Sequence, residues 1–122
     1  MIEGLDHVQV AAPTGCEAAA RGFYGVLLGL EELEKPALLA ARGGVWFRAG
    51  QQAMHVGVSA EFVPATKAHP ALRVSSVDEL ERLAERLREA RYEVAWADAT
   101  EIPGTTRCYV DDPWGNRIEL VA

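Results

Sequence analysis

The chain has 122 residues, enough for one ordinary domain or two small modules sharing a core, and too few for two independent domains. Hydrophobic residues make up 49% and charged residues 25%, a globular balance that excludes a disordered, collagen-like or linker sequence. Eighteen acidic against twelve basic residues give a net charge of -6, with no lysine or arginine run, which argues against nucleic acid and anionic membrane surfaces as partners.

Leu5 to Ala12 reads as a strand with His7, Gln9 and Ala11 on one face and Val8, Val10 and Ala12 on the other. Pro13, Thr14 and Gly15 break it. A short helix is expected over Ala18 to Leu28, with Phe23, Val26, Leu27 and Leu28 as its apolar stripe and Gly29 as its C-terminal cap. Leu30 to Lys35 reads as a strand ended by Pro36. Val45 to Arg48 and Ala53 to Ser59 suit a hairpin. Glu61 to His69 has two prolines and reads as a connector.

A second series follows. Pro70 marks the edge of a strand through Val74. Val77 to Ala90 has an apolar stripe at helical spacing, with Ser76 as cap and Glu79 completing a capping box. Asp78 and Arg82 are spaced to pair on its polar side. Tyr92 to Trp96, Arg107 to Val110 and Arg117 to Val121 read as strands, the last two joined by the turn Asp111 to Asn116. The order is strand, helix and three strands, twice. The duplication is architectural, since the halves do not match letter by letter.

The cysteines, Cys16 and Cys108, are too few and too far apart for a disulfide framework. Cys108 reads as a buried, inert thiol. No basic leader precedes an apolar stretch, and no apolar run is long enough to span a bilayer; a cytoplasmic location is expected.

The three histidines, His7, His55 and His69, each fall on or beside a strand. Each has an ordinary reading as a surface or strand histidine. Glu119 lies between Ile118 and Leu120; an edge strand would expose it, and a buried carboxylate there would need a positive partner or a metal. If a pseudo-twofold axis relates the halves, His7 faces His69 and His55 faces Glu119. Nitrogen and carboxylate donors of this kind suit Zn, Ni, Mn, Fe or Co.

Four segments together resemble the vicinal oxygen chelate superfamily of glyoxalases, bleomycin resistance proteins and dioxygenases. They are Leu5-Asp6-His7-Val8-Gln9-Val10, Phe23-Tyr24-Gly25-Val26-Leu27-Leu28-Gly29-Leu30, His69-Pro70-Ala71-Leu72-Arg73-Val74, and the closing Asp112-Pro113-Trp114-Gly115-Asn116-Arg117-Ile118-Glu119. The resemblance implies an α+β fold, a single domain over 1–122 of two βαβββ modules (1–60 and 61–122) making a cupped mixed sheet. It implies a homodimer, with modules commonly exchanged between subunits. It also implies one divalent metal ion per chain, bound by His7, His69 and Glu119. His55 matches the position where glyoxalase I has a further glutamate ligand; histidine there makes the set less anionic and leaves His55 as ligand or base.

The implied activity is that of a metal-dependent lyase or isomerase acting on a small substrate with adjacent oxygens, through an enediolate. Glu119 is the candidate ligand and base, His55 the competing base. Tyr24, Trp46, Phe47, Trp96, Tyr109 and Trp114 are candidate cavity residues, with core packing as their ordinary role, and Arg48, Arg107 and Arg117 candidate partners of a substrate carboxylate. The alternatives are a non-catalytic binder of a hydrophobic drug or metabolite, a ring-cleaving dioxygenase and a thiol transferase. The last is disfavoured because Asp98 to Arg107 lacks a cationic, serine-rich segment.

Overall fold

The computed structural model describes all residues 1–122. The chain divides into two compact units, Met1–Pro64 and Ala65–Ala122. Each carries one four-stranded mixed sheet, and together they form an α+β fold of two βαβββ modules.

In the first unit, β1 (His7–Ala12) is followed by α1 (Glu17–Ala20), which runs on as a π-helical segment, Arg21–Leu27. Then come β2 (Glu31–Leu33), a single turn α2 (Ala37–Ala40), β3 (Val45–Ala49) and β4 (Gln52–Val58). The sheet order is β1-β4-β3-β2, with β1 parallel to β4 and the other pairs antiparallel. β4 is internal, paired on both edges, and Met54, His55 and Val56 are all buried in succession.

The widened helix departs from the expected stripe. Gly22 and Gly25 weaken α-helical preference, and the Leu28 amide bonds the Phe23 carbonyl five residues back at 2.9 Å. The wider turn brings Tyr24 beside Phe23 in the core, while Val26 is left 73% exposed. Gly29 takes a left-handed φ of 75° and ends the segment as expected. The α2 turn had no periodic signature: all four residues are apolar, and none is buried.

In the second unit, β5 (Ala71–Arg73) leads to α3 (Val77–Glu89), then β6 (Val94–Trp96), β7 (Arg107–Asp111) and β8 (Arg117–Val121). The order β5-β8-β7-β6 repeats that of the first unit, again with the outer pair β5·β8 parallel. Leu80, Leu83, Ala84 and Leu87 form the buried stripe of α3. Ser76 caps it by accepting from the Glu79 amide at 3.2 Å. The Glu79 carboxylate pairs with Arg82 at 2.8 Å, so the surface pair is i,i+3 rather than the expected Asp78–Arg82.

The turn after β7 is held by one carboxylate. Asp112 Oδ1 accepts from the amides of Trp114 and Asn116 at 3.0 and 2.9 Å, and Oδ2 accepts from Asn116 Nδ2 at 2.8 Å. Asn116 Oδ1 in turn accepts from the Ala65 amide at 3.0 Å, tying the turn to the start of its unit.

Glycine is required most strongly at Gly44, just before β3. Its φ is 83°, and a Cβ there would lie 2.3 Å from the Val56 carbonyl oxygen. Gly50, in the β3–β4 turn, has φ 64° but open space around it. Gly44→Ala is expected to cost more than the about 1–3 kcal/mol of backbone strain alone, and Gly50→Ala no more than that strain. Denaturant unfolding of the two variants checks this; equal losses would contradict it.

Candidate metal centre

Strand alternation sets the chemistry. On β7 and β8, Cys108, Val110, Ile118 and Leu120 are buried on one face, and Arg107, Tyr109, Arg117 and Glu119 alternate with them on the other. On the first sheet, His7 and Gln9 of β1, His55 of β4, and Trp46 and Arg48 of β3 share one face by the same rule.

The register makes the duplication specific. His55 lies opposite Gln9 on one side and Trp46 on the other. Glu119 lies opposite Ala71 on one side and Tyr109 on the other. His7 precedes Gln9 by two residues, and His69 precedes Ala71 by two. Each unit therefore places a histidine at the head of its parallel edge, a donor on its inner strand, and an aromatic ring against that donor.

In the first unit, three rings stack. His55 lies on Trp46 with centroids 4.0 Å apart and planes 2° apart, and on His7 at 4.2 Å and 16°. His7 Nδ1 donates to Asp6 Oδ1 at 2.7 Å. His55 is 8% exposed and forms no side-chain hydrogen bond. Burial, together with the neighbouring His7, pushes its pKa down.

In the second unit the cluster is charged. His69 Nδ1 donates to the Lys67 carbonyl at 2.8 Å, and its Nε2 lies 2.8 Å from Glu119 Oε2. Arg107 donates to Glu119 Oε1 at 3.1 Å, to the Tyr109 hydroxyl at 2.9 Å and to Glu101 Oε2 at 2.8 Å. Burial pushes the Glu119 carboxyl up, but His69 and Arg107 together outweigh it and hold its pKa below the ordinary value.

The structure thus brings together His7 with His55, and His69 with Glu119. Neither unit alone gathers three His, Cys, Asp or Glu side chains fit to hold a metal. By type the donors present suit one half of such a site each, although the His7 and His55 rings are stacked nearly parallel and their in-plane lone pairs do not converge in this arrangement. Nδ1 of His7 and of His69 is committed to an acceptor, the arrangement that orients metal-binding imidazoles; His69 Nε2 is itself engaged by Glu119 Oε2, a bond that an ion between them would replace. Asp6 had only its adjacency to His7 as a signal. The Lys67 carbonyl and Glu101 had no sequence signal, because both act from irregular segments.

The other candidates are dispersed. Arg48 pairs with Glu31 at 3.4 Å. Arg107 directs its guanidinium onto protein groups. Arg117 lies 5.0 Å over the Tyr109 ring. Tyr109 and Arg117 also line a cleft of about 320 Å³ with Arg91, Tyr92 and Asp111. Trp114 is half-buried in its turn, and Trp96 is 41% exposed.

The comparisons agree with this architecture. The sequence profile of the Glyoxalase/Bleomycin resistance protein/Dioxygenase superfamily matches residues 4–120. The chain belongs to that superfamily, and its two βαβββ modules are the expected fold. A glyoxalase family protein from Bacillus anthracis is 49% identical, with a TM-score of 0.90 over 99% of this chain and 95% of that one. A fosfomycin resistance protein from Listeria monocytogenes (19% identity, TM-score 0.76, 100% and 94% coverage) and a lactoylglutathione lyase from Agrobacterium tumefaciens (20%, 0.66, 93% and 90%) share the fold. No curated protein matches significantly. No helix is long and apolar enough to cross a membrane.

Both thiols are buried away from these groups. Cys108 is fully buried, and burial pushes its pKa up to about 11; the Cys16 pKa is raised for the same first reason. Thiolate is the reactive form. Native protein is expected to leave both cysteines unlabelled by a disulfide reagent at pH 8, and denatured protein to label both. Rapid labelling of the native protein would contradict this.

Proposed function

We propose that the protein is a divalent-metal-dependent lyase or isomerase of the glyoxalase type, acting on a small substrate with adjacent oxygens. The observation that carries this reading is the matched pair of half-sets, His7 with His55 and His69 with Glu119, at equivalent register positions of the duplicated sheets. Two donors are too few for a catalytic ion, which takes three or more protein ligands. In this proposal the half-sets join on one Zn, Ni, Mn, Fe or Co ion in a homodimer. Three imidazoles and one carboxylate suit those ions.

An ion held there supplies a Lewis acid for the substrate's adjacent oxygens, lowering the cost of enediolate charge. The chain's own groups do the rest. Asp6 and the Lys67 carbonyl would hold the His7 and His69 rings through Nδ1, with His69 Nε2 exchanging its bond to Glu119 for the ion. Glu119, once its Oε2 is displaced from the ion, would take the proton beside the substrate carbonyl and return it one carbon away, with His55 as the alternative base. Trp46, Tyr109 and Trp114 are assigned to substrate contact, with Arg48 at the polar edge; Trp96 pairs with Cys108 and lies on the face opposite Glu119, which removes it from the set. A non-catalytic binder of a hydrophobic molecule has weaker support, since it would not need matched imidazole and carboxylate donors.

Purified protein is expected to carry about one divalent ion per chain by elemental analysis, and to have a dimer's mass by light scattering. His69→Ala and Glu119→Ala are expected to weaken zinc binding far more than His55→Ala, by more than the about 10–100-fold typical of losing a supporting residue. Protein that takes up no divalent ion even after reconstitution would overturn the reading. Turnover of a hemithioacetal would separate an enzyme of this type from a binder.

A further inference from the structure

Arg107 opens β7 on the same face as Tyr109 and Glu119, and is 8% exposed. A guanidinium is a planar fork of fixed donors. Here one arm serves Glu119 Oε1 and the Tyr109 hydroxyl, and the other serves Glu101 Oε2. A substrate carboxylate would have to displace one of these bonds to reach it. Glu119 is divided in turn: Oε1 goes to Arg107 and Oε2 to His69 Nε2.

From this division we infer that Arg107 is a positioning residue for Glu119. It fixes the carboxylate through Oε1, so that Oε2 is the single oxygen presented toward His69. Glu101, from the segment between β6 and β7, clamps the guanidinium on its far side, and the Tyr109 hydroxyl holds it from the sheet. The functional meaning rests on the metal reading above: Oε2 is then the oxygen left for the ion. Nothing in the first unit repeats the device, where the equivalent donor is the ring of His55, held by Trp46 and His7. Lysine would keep the charge at position 107 and lose the fork, so Arg107→Lys tests geometry rather than charge.

The test begins with metal-free protein carrying ¹⁵N-labelled histidine. Only three histidines exist, and His69→Ala identifies the His69 signals. At fixed pH, Arg107→Lys is expected to shift the His69 ring nitrogens while leaving those of His7 and His55, and the backbone amide spectrum, in place. Arg107→Met is expected to do the same or more; if it fails to fold, the lysine variant carries the test. Zinc chloride is then titrated by calorimetry. Arg107→Lys is expected to weaken zinc binding about 10–100-fold and to add little in a Glu119→Gln background.

Unchanged His69 ring signals in a folded Arg107→Lys protein would overturn the inference, whether or not zinc affinity falls. Wild-type protein that binds no zinc, while its His69 signals still follow Arg107, would overturn the metal reading and uphold the positioning role.

Discussion

Each sheet is closed on one side by a parallel pair, β1 on β4 and β5 on β8, and the register of that pair decides where every donor falls. Side chains alternate with a period of two, so a slip of one residue would move His55 or Glu119 to the opposite face. The buried neighbours forbid such a slip. Met54 and Val56 flank His55, and Ile118 and Leu120 flank Glu119; moving them outward would expose much of each unit's core. Hydrophobic burial on one face thereby fixes the position of polar groups on the other.

The duplicated frames carry different electrostatics. Where the inner strand presents histidine, its ring is stacked against two flat rings, His7 and Trp46. Where it presents glutamate, the buried carboxylate needs compensation; Arg107 and His69 bond it directly, and Glu101 pairs with Arg107. The ring against each donor differs in the same sense. Trp46 covers His55 face to face, and Tyr109 adds a hydroxyl that Arg107 uses. This divergence gives the proposed centre three nitrogen donors and one oxygen donor.

Much of this was legible in the residues. Alternation, turn chemistry and the Ser76 cap located the strands and α3, and the repeated order implied two modules. The family resemblance singled out His7, His69 and Glu119, and a buried Glu119 implied a positive partner or a metal. Three features were not legible. The π-helical widening depends on tertiary packing, which selected Tyr24 over Val26 for the core. The α2 turn is apolar throughout and so has no periodic face. The bond from Glu101 to Arg107 comes from an irregular segment, where spacing says nothing about side-chain direction.

The central claim is that two half-sets, each incomplete alone, serve one ion. X-ray absorption at the metal edge of zinc-loaded protein tests it most directly. The account predicts a first shell of nitrogen and oxygen with scattering from three imidazoles, falling to two in His55→Ala and in His7→Ala alike. A shell with one imidazole or none, or one unaltered by removing His7, would contradict it.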